Sequence, residues 1–380
     1  MANKFDRIRK HFPVTKHLVY LNHAAVCPIP ALVAKEMKRQ IDEQLRYGGR
    51  VEDRWEKRAE LARNEAARLL GASSSEIAFV TNTTQGLNFF ARGLRWRSGD
   101  NVVLPRVEFP ANVYPWLSLE SKGVSIKFVK EREGRILTED IEKAIDSRTR
   151  VVAISFVEFS SGFRNDLEEI ATICRSKGVY LVVDGIQGLG ALKLDVKRAK
   201  IDALSAGGHK WLLAPQGTGI FYLRKELLDE IEHPMPGWMS VVNWQNYYDF
   251  DFTLFKNSRR YESAQKNLIG LCGLYGALSL INRLGIESIQ ARIIELTDYL
   301  CMKLMERGYR IFSPRGEKEK SGIVSFYPKR LEAERIWAAL RRKGFITSAR
   351  QGRIRVSPHF YNTFDELDLL VDEVVRMERD

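Results

Sequence analysis

The stretch VYLVVDGIQGLGALKLDV, residues 179–196, decides the fold. Its first half is β-branched and apolar at successive positions, as a strand is when helices cover both faces of its sheet. The strand ends on Asp184, at the carboxyl edge where open α/β sheets place their ligands. An aspartate there also serves as a helix N-cap, so alone it assigns no function. The glycines that follow run G-x-x-G-x-G, not G-x-G-x-x-G, which excludes a dinucleotide loop. Six further runs of the same kind surround it: IAFV (77–80), NVVLP (101–105), VSIKFV (124–129), VVAIS (151–155), DALSA (202–206) and TGIFYL (218–223). Helical patterns separate them at 84–95, 138–146 and 166–178. Strands alternating with helices over short connections predict an α/β domain around a mainly parallel seven-stranded sheet.

The rhythm breaks at 224–262, where EHPMPGWMSVVNWQNYYDFDF reads as irregular loop facing a ligand or partner. Long helical patterns follow at 267–284 and 286–307. The segments YRIF, GIVSFY and GRIRVS alternate with further helices at 331–343 and 363–379. This mixture predicts a smaller α+β domain. The expected division is a large domain over 16–258, with 1–15 and 259–380 forming the small one. The charged tract RGEKEKSG (315–322) reads as a mobile surface turn.

Composition bounds the function. With 380 residues, 44% hydrophobic and 28% charged, the chain is neither disordered nor a disulfide-stapled miniprotein. Its four cysteines are widely spaced, with no C-x-x-C pair and no metal-ligand pattern, and read as reduced thiols. The N-terminal residues show no apolar signal segment, and no window is long and apolar enough for a membrane span. A cytoplasmic protein without a membrane partner is expected. The net charge of +12 admits a nucleic-acid partner as an alternative of another class. However, the basic residues are dispersed and mixed with acids, as in EDRWEKRAELARNEAARLL (52–70), so a solvated surface is the expected reading and no nucleic acid.

The second informative stretch is SAGGHKWLLAPQGTGIFYL (205–223). Lys210 follows a strand and two glycines and precedes Trp-Leu-Leu, so it sits on no solvated face. A lysine among apolar residues loses hydration unless it has a task, and condensation with a cofactor aldehyde is one. A strand-end Asp followed by a Gly-flanked His-Lys is what pyridoxal 5′-phosphate asks for. The lysine holds the aldehyde, and the carboxylate keeps the pyridine nitrogen protonated.

These residues fall into a larger pattern. YLNHAAVCPIP (20–30), FVTNTTQGLN (79–88), VEFPANVYPW (107–116), DGIQ (184–187), GGHK (207–210), RRYES (259–263) and IRVSPHFYNTFDELD (354–368) occur in that order. Each is weak alone; together they are specific. The chain resembles the class V aminotransferases of PLP fold type I over nearly its whole length. HKWLLAP, GWMSV and SPHFYNT are similar to the branch that includes isopenicillin-N-epimerase-like and selenocysteine-lyase-like enzymes.

The resemblance implies roles. Lys210 would carry the cofactor, Asp184 would hold the ring nitrogen, and His209 would orient Lys210. Thr83 and Thr84 would bind phosphate, with Gln265 at the position that reaches it across a dimer interface, Phe109 would stack on the ring, and Gln187 would bond the ring oxygen. Arg355 would clamp the substrate carboxylate, with Asn22, His23 and Ala24 on the substrate side. A homodimer with shared sites is implied, the aromatic loop 236–250 and the segment 259–267 meeting the partner. Three positions depart from the family pattern. Gly207 stands where a phosphate-binding Ser is common, and Ala264-Gln265 replaces a Gly-Thr. Related desulfurases carry a His at Phe109 and a loop cysteine between Lys343 and Arg355; both are missing here. The expected activity is chemistry at the α-carbon of an amino acid. Aminotransferase is the first expectation, β-lyase or epimerase the alternative, and a persulfide-forming cysteine desulfurase is disfavoured.

Overall fold

A computed structural model describes residues 4–379; residues 1–3 and 380, the ends of the expected small domain, lie outside it. Two amphipathic helices, α1 (Ala31–Tyr47) and α2 (Glu52–Leu70), precede the sheet. Then come β1 (Ile77–Val80), α3 (Thr83–Gly93), β2 (Asn101–Pro105), β3 (Ser125–Val129), α4 (Thr138–Ala144), β4 (Thr149–Ser155), α5 (Leu167–Ser176), β5 (Tyr180–Asp184), β6 (Ala203–Gly207) and β7 (Gly219–Leu223). All seven expected strands form, and most are buried along their length, which accounts for their uninterrupted apolar character.

The seven strands make one sheet in the order β1-β7-β6-β5-β4-β2-β3. Only β7 runs against its neighbours, pairing antiparallel with β1 and β6; the other pairs are parallel. Therefore β1, β4, β5 and β6 all end at the same edge. Ser155, Asp184 and Ser205 stand side by side there, through the pairs Ser155 with Asp184 and Asp184 with Ser205. The fold thus gathers the segments following those strands, which are far apart in sequence.

The remaining elements are α6 (Leu268–Leu284), α7 (Ile286–Glu306), β8 (Arg310–Ile311), β9 (Val324–Tyr327), α8 (Ala333–Arg342), β10 (Ser348–Arg350), β11 (Arg353–Val356) and α9 (Phe364–Arg379). A four-stranded antiparallel sheet in the order β10-β11-β9-β8 anchors a separate core with Leu21, Leu296, Leu300, Leu340 and Leu370. The short strand Val19–Tyr20 joins this unit by pairing with Phe345–Ile346. Helix α6, which a boundary at 259 would assign to the small unit, packs on α1 and α2 and shares the larger core. The tract 315–322 is tied down by ion pairs. Arg315 and Lys320 meet Asp298, and Glu319 takes a forked pair of bonds from Arg135. No single helix among the described residues is long and apolar enough to cross a membrane.

Candidate active site

At the shared sheet edge lies a cavity of about 330 Å³, lined by residues from seven stretches of the chain, Phe159 among them. Asn82, Thr83 and Thr84 come from the start of α3, and Phe109 from the loop after β2. Asp184, Ile186 and Gln187 follow β5, His209 and Lys210 follow β6, and Arg350 and Arg355 come from the small sheet. Ala24 closes one side.

Asp184 is almost fully buried, and its Oδ1 accepts the N–H of Ile186 at 2.9 Å. Burial raises its carboxyl to about 6, a rise that this hydrogen bond and the charge of Lys210 oppose. Lys210 is 8% exposed, and burial lowers its amine to about 8 while Asp184 works in the other direction. Its Nζ lies 5.3 Å from the centre of the Phe109 ring, which also meets Phe159 edge-on. Burial, together with Lys210, lowers the His209 imidazole. A Cβ at Gly207 would come within 3.1 Å of the His209 ring, a tight approach to which that ring would have to yield slightly.

Helix α3 begins at the cavity wall. Asn82 caps it through the N–H of Gln85, and α3 lies so close to β6 that a Cβ on Gly86 would overlap the Ser205 hydroxyl. The Thr83 hydroxyl accepts the N–H of Gly207 at 2.9 Å, which ties the helix start to the strand leading to Lys210. Gln187 is fixed at both ends of its amide: it donates to the carbonyl of Ala24 and accepts from the Trp211 indole.

Arg355 is 1% exposed. It donates to the Phe159 carbonyl at 2.7 Å, reaches the Ser348 hydroxyl at 3.5 Å, and leaves Nε buried without a partner. No carboxylate pairs with it among the described residues, so burial and the neighbouring Arg350 depress it below the ordinary value. A buried, unpaired guanidinium facing a cavity is a site for an anion.

Two expected substrate-side residues are not brought to the cavity, and Gln265, expected to act across a dimer interface, lies outside this chain's own. His23 is fully buried behind it, with Nδ1 on the Ser357 carbonyl at 2.8 Å and Nε2 on the Tyr361 hydroxyl at 2.7 Å; both nitrogens are already used. Asn22 accepts from Ser348 and supports the hydroxyl beside Arg355. Gln265 lines a separate cleft with Trp238, Trp244 and Tyr247. Its segment is pinned there because Lys266 pairs with Glu56 at 2.7 Å and Glu262 with Arg63 at 2.6 Å, both on α2.

Two features escape a reading of the sequence. Arg350 lines the cavity, and its only signal is the Gln-Gly pair at 351–352, which marks a tight hairpin. Behind Asp184 lie two more buried acids. Glu108 takes the N–H and hydroxyl of Ser155, at 2.5 and 2.6 Å, and burial with Glu158 and Asp184 nearby holds it well above the carboxylate range. Glu158 is raised to about 8 by burial, with Asp184 and Glu131 adding to the rise. Nothing in the local sequence announces that these chains turn inward.

The donor set fits pyridoxal 5′-phosphate. Lys210 would hold the aldehyde, Asp184 the ring nitrogen, Phe109 a ring face, and the free N–H groups of the first α3 turn the phosphate.

Comparison with known proteins agrees. The family model Aminotransferase class-V matches residues 19–370. A probable cysteine desulfurase of Methanothermobacter thermautotrophicus is 30% identical, with 96% of each chain covered. An uncharacterized aminotransferase of Bacillus subtilis is 28% identical, with 97% of each covered. The apo structure of a cysteine desulfurase from Thermococcus onnurineus superposes with a TM-score of 0.90 at 26% identity, covering 100% of this chain and 99% of that one. Matched from residue 19 to 370 and sharing this fold end to end, the chain belongs to the class V aminotransferases, a family of pyridoxal phosphate enzymes of fold type I.

Proposed function

We propose that this enzyme transfers the amino group of an amino acid by chemistry at the α-carbon, with Lys210 as its proton carrier. One observation carries the reading: the Lys210 amine is buried and shares a cavity with Asp184, Phe109 and Arg355. Bound pyridoxal phosphate supplies an electron sink for the pair left when a bond at the α-carbon breaks. The protein does the rest. Arg355 fixes the substrate carboxylate by a forked contact and so sets which α-carbon bond faces Lys210. An amine with a pKa near 8 is well suited to take and return a proton at neutral pH. Asp184 would hold the ring nitrogen of the bound cofactor, and the His209 ring packs beside Gly207, next to Lys210 in the chain. Moving one proton is all that transamination asks of the side chains.

The names of the relatives favour a second reading, cleavage of a carbon–sulfur bond. A persulfide-forming route needs an accessible thiolate. All four cysteines are buried, and none lines the cavity. Burial raises Cys27, the one nearest in sequence to the lining residues, to about 12, and its Sγ turns to the Ala214 carbonyl. Direct elimination remains the alternative, and a persulfide carrier on this chain does not.

The active form is proposed to be a homodimer. Tyr248 and Phe250 are 96% and 95% exposed beside Trp238, Tyr247 and Phe252, a patch that calls for a covering surface.

Borohydride reduction of the cofactor-loaded enzyme, followed by peptide mapping, tests the site. Label on Lys210 is expected, and label on another lysine overturns the reading. Following keto-acid products across an amino-acid panel separates transamination, where the acceptor is consumed, from elimination. Mass spectrometry after L-cysteine treatment should find no persulfide on any of the four cysteines.

A further inference from the structure

With Lys210 assigned to the cofactor aldehyde and the start of α3 to its phosphate, the cavity still presents two guanidiniums, one more than an α-carboxylate needs. Its lining contains Lys210, Arg350 and Arg355, against Asp184 as the one acid. Arg355 is buried at the back and Arg350 is exposed at the mouth. Neither guanidinium forms an ion pair with any described residue. The one hydrogen bond Arg350 makes runs to the carbonyl of Ala349, its own neighbour. The two are close enough that Arg350 acts on both Arg355 and Lys210 through its charge.

Arg350 is not on a floppy loop. Strand pairing joins Arg350 to Arg353 and Ser348 to Arg355 across the β10–β11 hairpin. Directly paired residues and their i+2 neighbours share one face of an antiparallel ladder. The ladder therefore presents Ser348, Arg350 and Arg355 on the same face. The turn between the strands is only two residues long, with Gln351 at φ +47 and Gly352 at φ +72, the left-handed pair that closes the tightest hairpins. On the same face Arg353 is occupied elsewhere, bonded to Ser160 and stacked over Phe312 at 3.8 Å. Beyond Arg355, the arginine of this face left free to meet a ligand is Arg350.

We infer that Arg350 selects substrates by pairing with an anionic side-chain group, so that the preferred substrate is an amino acid with an acidic side chain. Arg355 takes the α-carboxylate and Arg350 takes the second anion. This rests on reading the cavity as the amino-acid site. Of the remaining lining, Ala24, Val26, Ala111, Phe159 and Ile186 are apolar, while the neutral polar residues are Asn82, Thr83 and Thr84 at the start of α3, Gln187, whose amide is already bonded at both ends, and His209. A forked guanidinium discriminates a carboxylate from its amide because the amide presents one acceptor and a donor that has no partner there. The net charge of +12 draws such anions toward the protein.

Calorimetry on the cofactor-loaded enzyme tests this with a pair of ligands that have no amine and cannot react, glutarate and its monoamide. Glutarate is expected to bind at least about tenfold more tightly, the scale of one charge-assisted contact. In Arg350→Gln the ratio should fall to near one, and in Arg350→Lys it should be intermediate, since the charge stays and the fork is lost. Equal binding of the two ligands by the wild type overturns the inference. So does a ratio that survives in Arg350→Gln, or no binding of either ligand at millimolar concentration. The borohydride label on Lys210 is read separately, so failure here leaves the site assignment standing, and failure there is seen independently of Arg350.

Discussion

Asp184 ends β5 and Lys210 follows the adjacent parallel strand β6, so that both are buried at one sheet edge and line a single cavity. Burial acts against both: it raises the acid to about 6 and lowers the amine to about 8, and the charge of each restrains the shift of the other. A folded protein keeps such a pair for its reactivity, because water would hydrate both groups better.

Lys210 therefore costs stability in the cofactor-free protein. Its folded value, about 8, lies below its unfolded 10.5, so its contribution is favourable above 10.5 and is lost as pH falls through 8. Lys210→Met is expected to raise stability at pH 7 by about 1–3 kcal/mol, part of the gain being offset by leaving Asp184 without its cation. The gain should shrink toward zero as pH approaches 10.5. Urea denaturation of the apo-protein at several pH values checks this, and a gain independent of pH contradicts it.

Glu158 provides a test with the opposite sign. Its folded value of about 8 lies above its unfolded 4.5, so the fold is favoured below 4.5 and loses stability as pH rises toward 8. Glu158→Gln removes the titration. The variant should match the wild type best near pH 4.5 and exceed it by a margin that grows up to about pH 8. Parallel thermal melts that stay a constant distance apart across this range would rule it out.

Glu262 joins three parts of the large domain. Its two oxygens take forked bonds from Arg63 at 2.6 and 3.0 Å, and one also accepts the Phe79 N–H of β1. Arg63 is 2% exposed, and Glu262→Ala leaves it with only the partly exposed Glu60 as a carboxylate partner and the Phe79 N–H without its acceptor. A loss of about 2–3 kcal/mol in unfolding free energy is expected. A loss below about 1 kcal/mol would show that the pair is unimportant to the fold.

The aromatic patch predicts the state of assembly. Replacing Tyr248 and Phe250 together by Glu puts two charges where an apolar contact is proposed. Light scattering should show the wild type as a dimer and the double variant shifted to monomer. A wild-type monomer carrying a full complement of cofactor would refute the dimer.

Much of this was legible in the chain. Runs such as VYLVVD and VVAIS are apolar at every position because helices cover both sheet faces, so the seven strands stand out wherever they end in sequence. Asp184 and Lys210 stand out for a related reason: each is a charged group at the end of an apolar run, where local sequence gives it no solvent. The order β1-β7-β6-β5-β4-β2-β3 was not legible, because strand pairing is a contact between distant segments. That order alone brings the start of α3 to the edge that carries Lys210. His23 looks like a site residue from its neighbours, but partners more than 300 positions away, Ser357 and Tyr361, consume both its nitrogens. The segment of Gln265 is held by ion pairs to α2, and Arg350 is placed at the cavity by a strand pairing closed with a two-residue turn. The sequence determined which segments become strands and which side chains are chemically able, since both depend on local hydropathy and residue type. Only the tertiary structure decided which of those side chains meet, because direction and partnership are set by packing between elements that the chain keeps far apart.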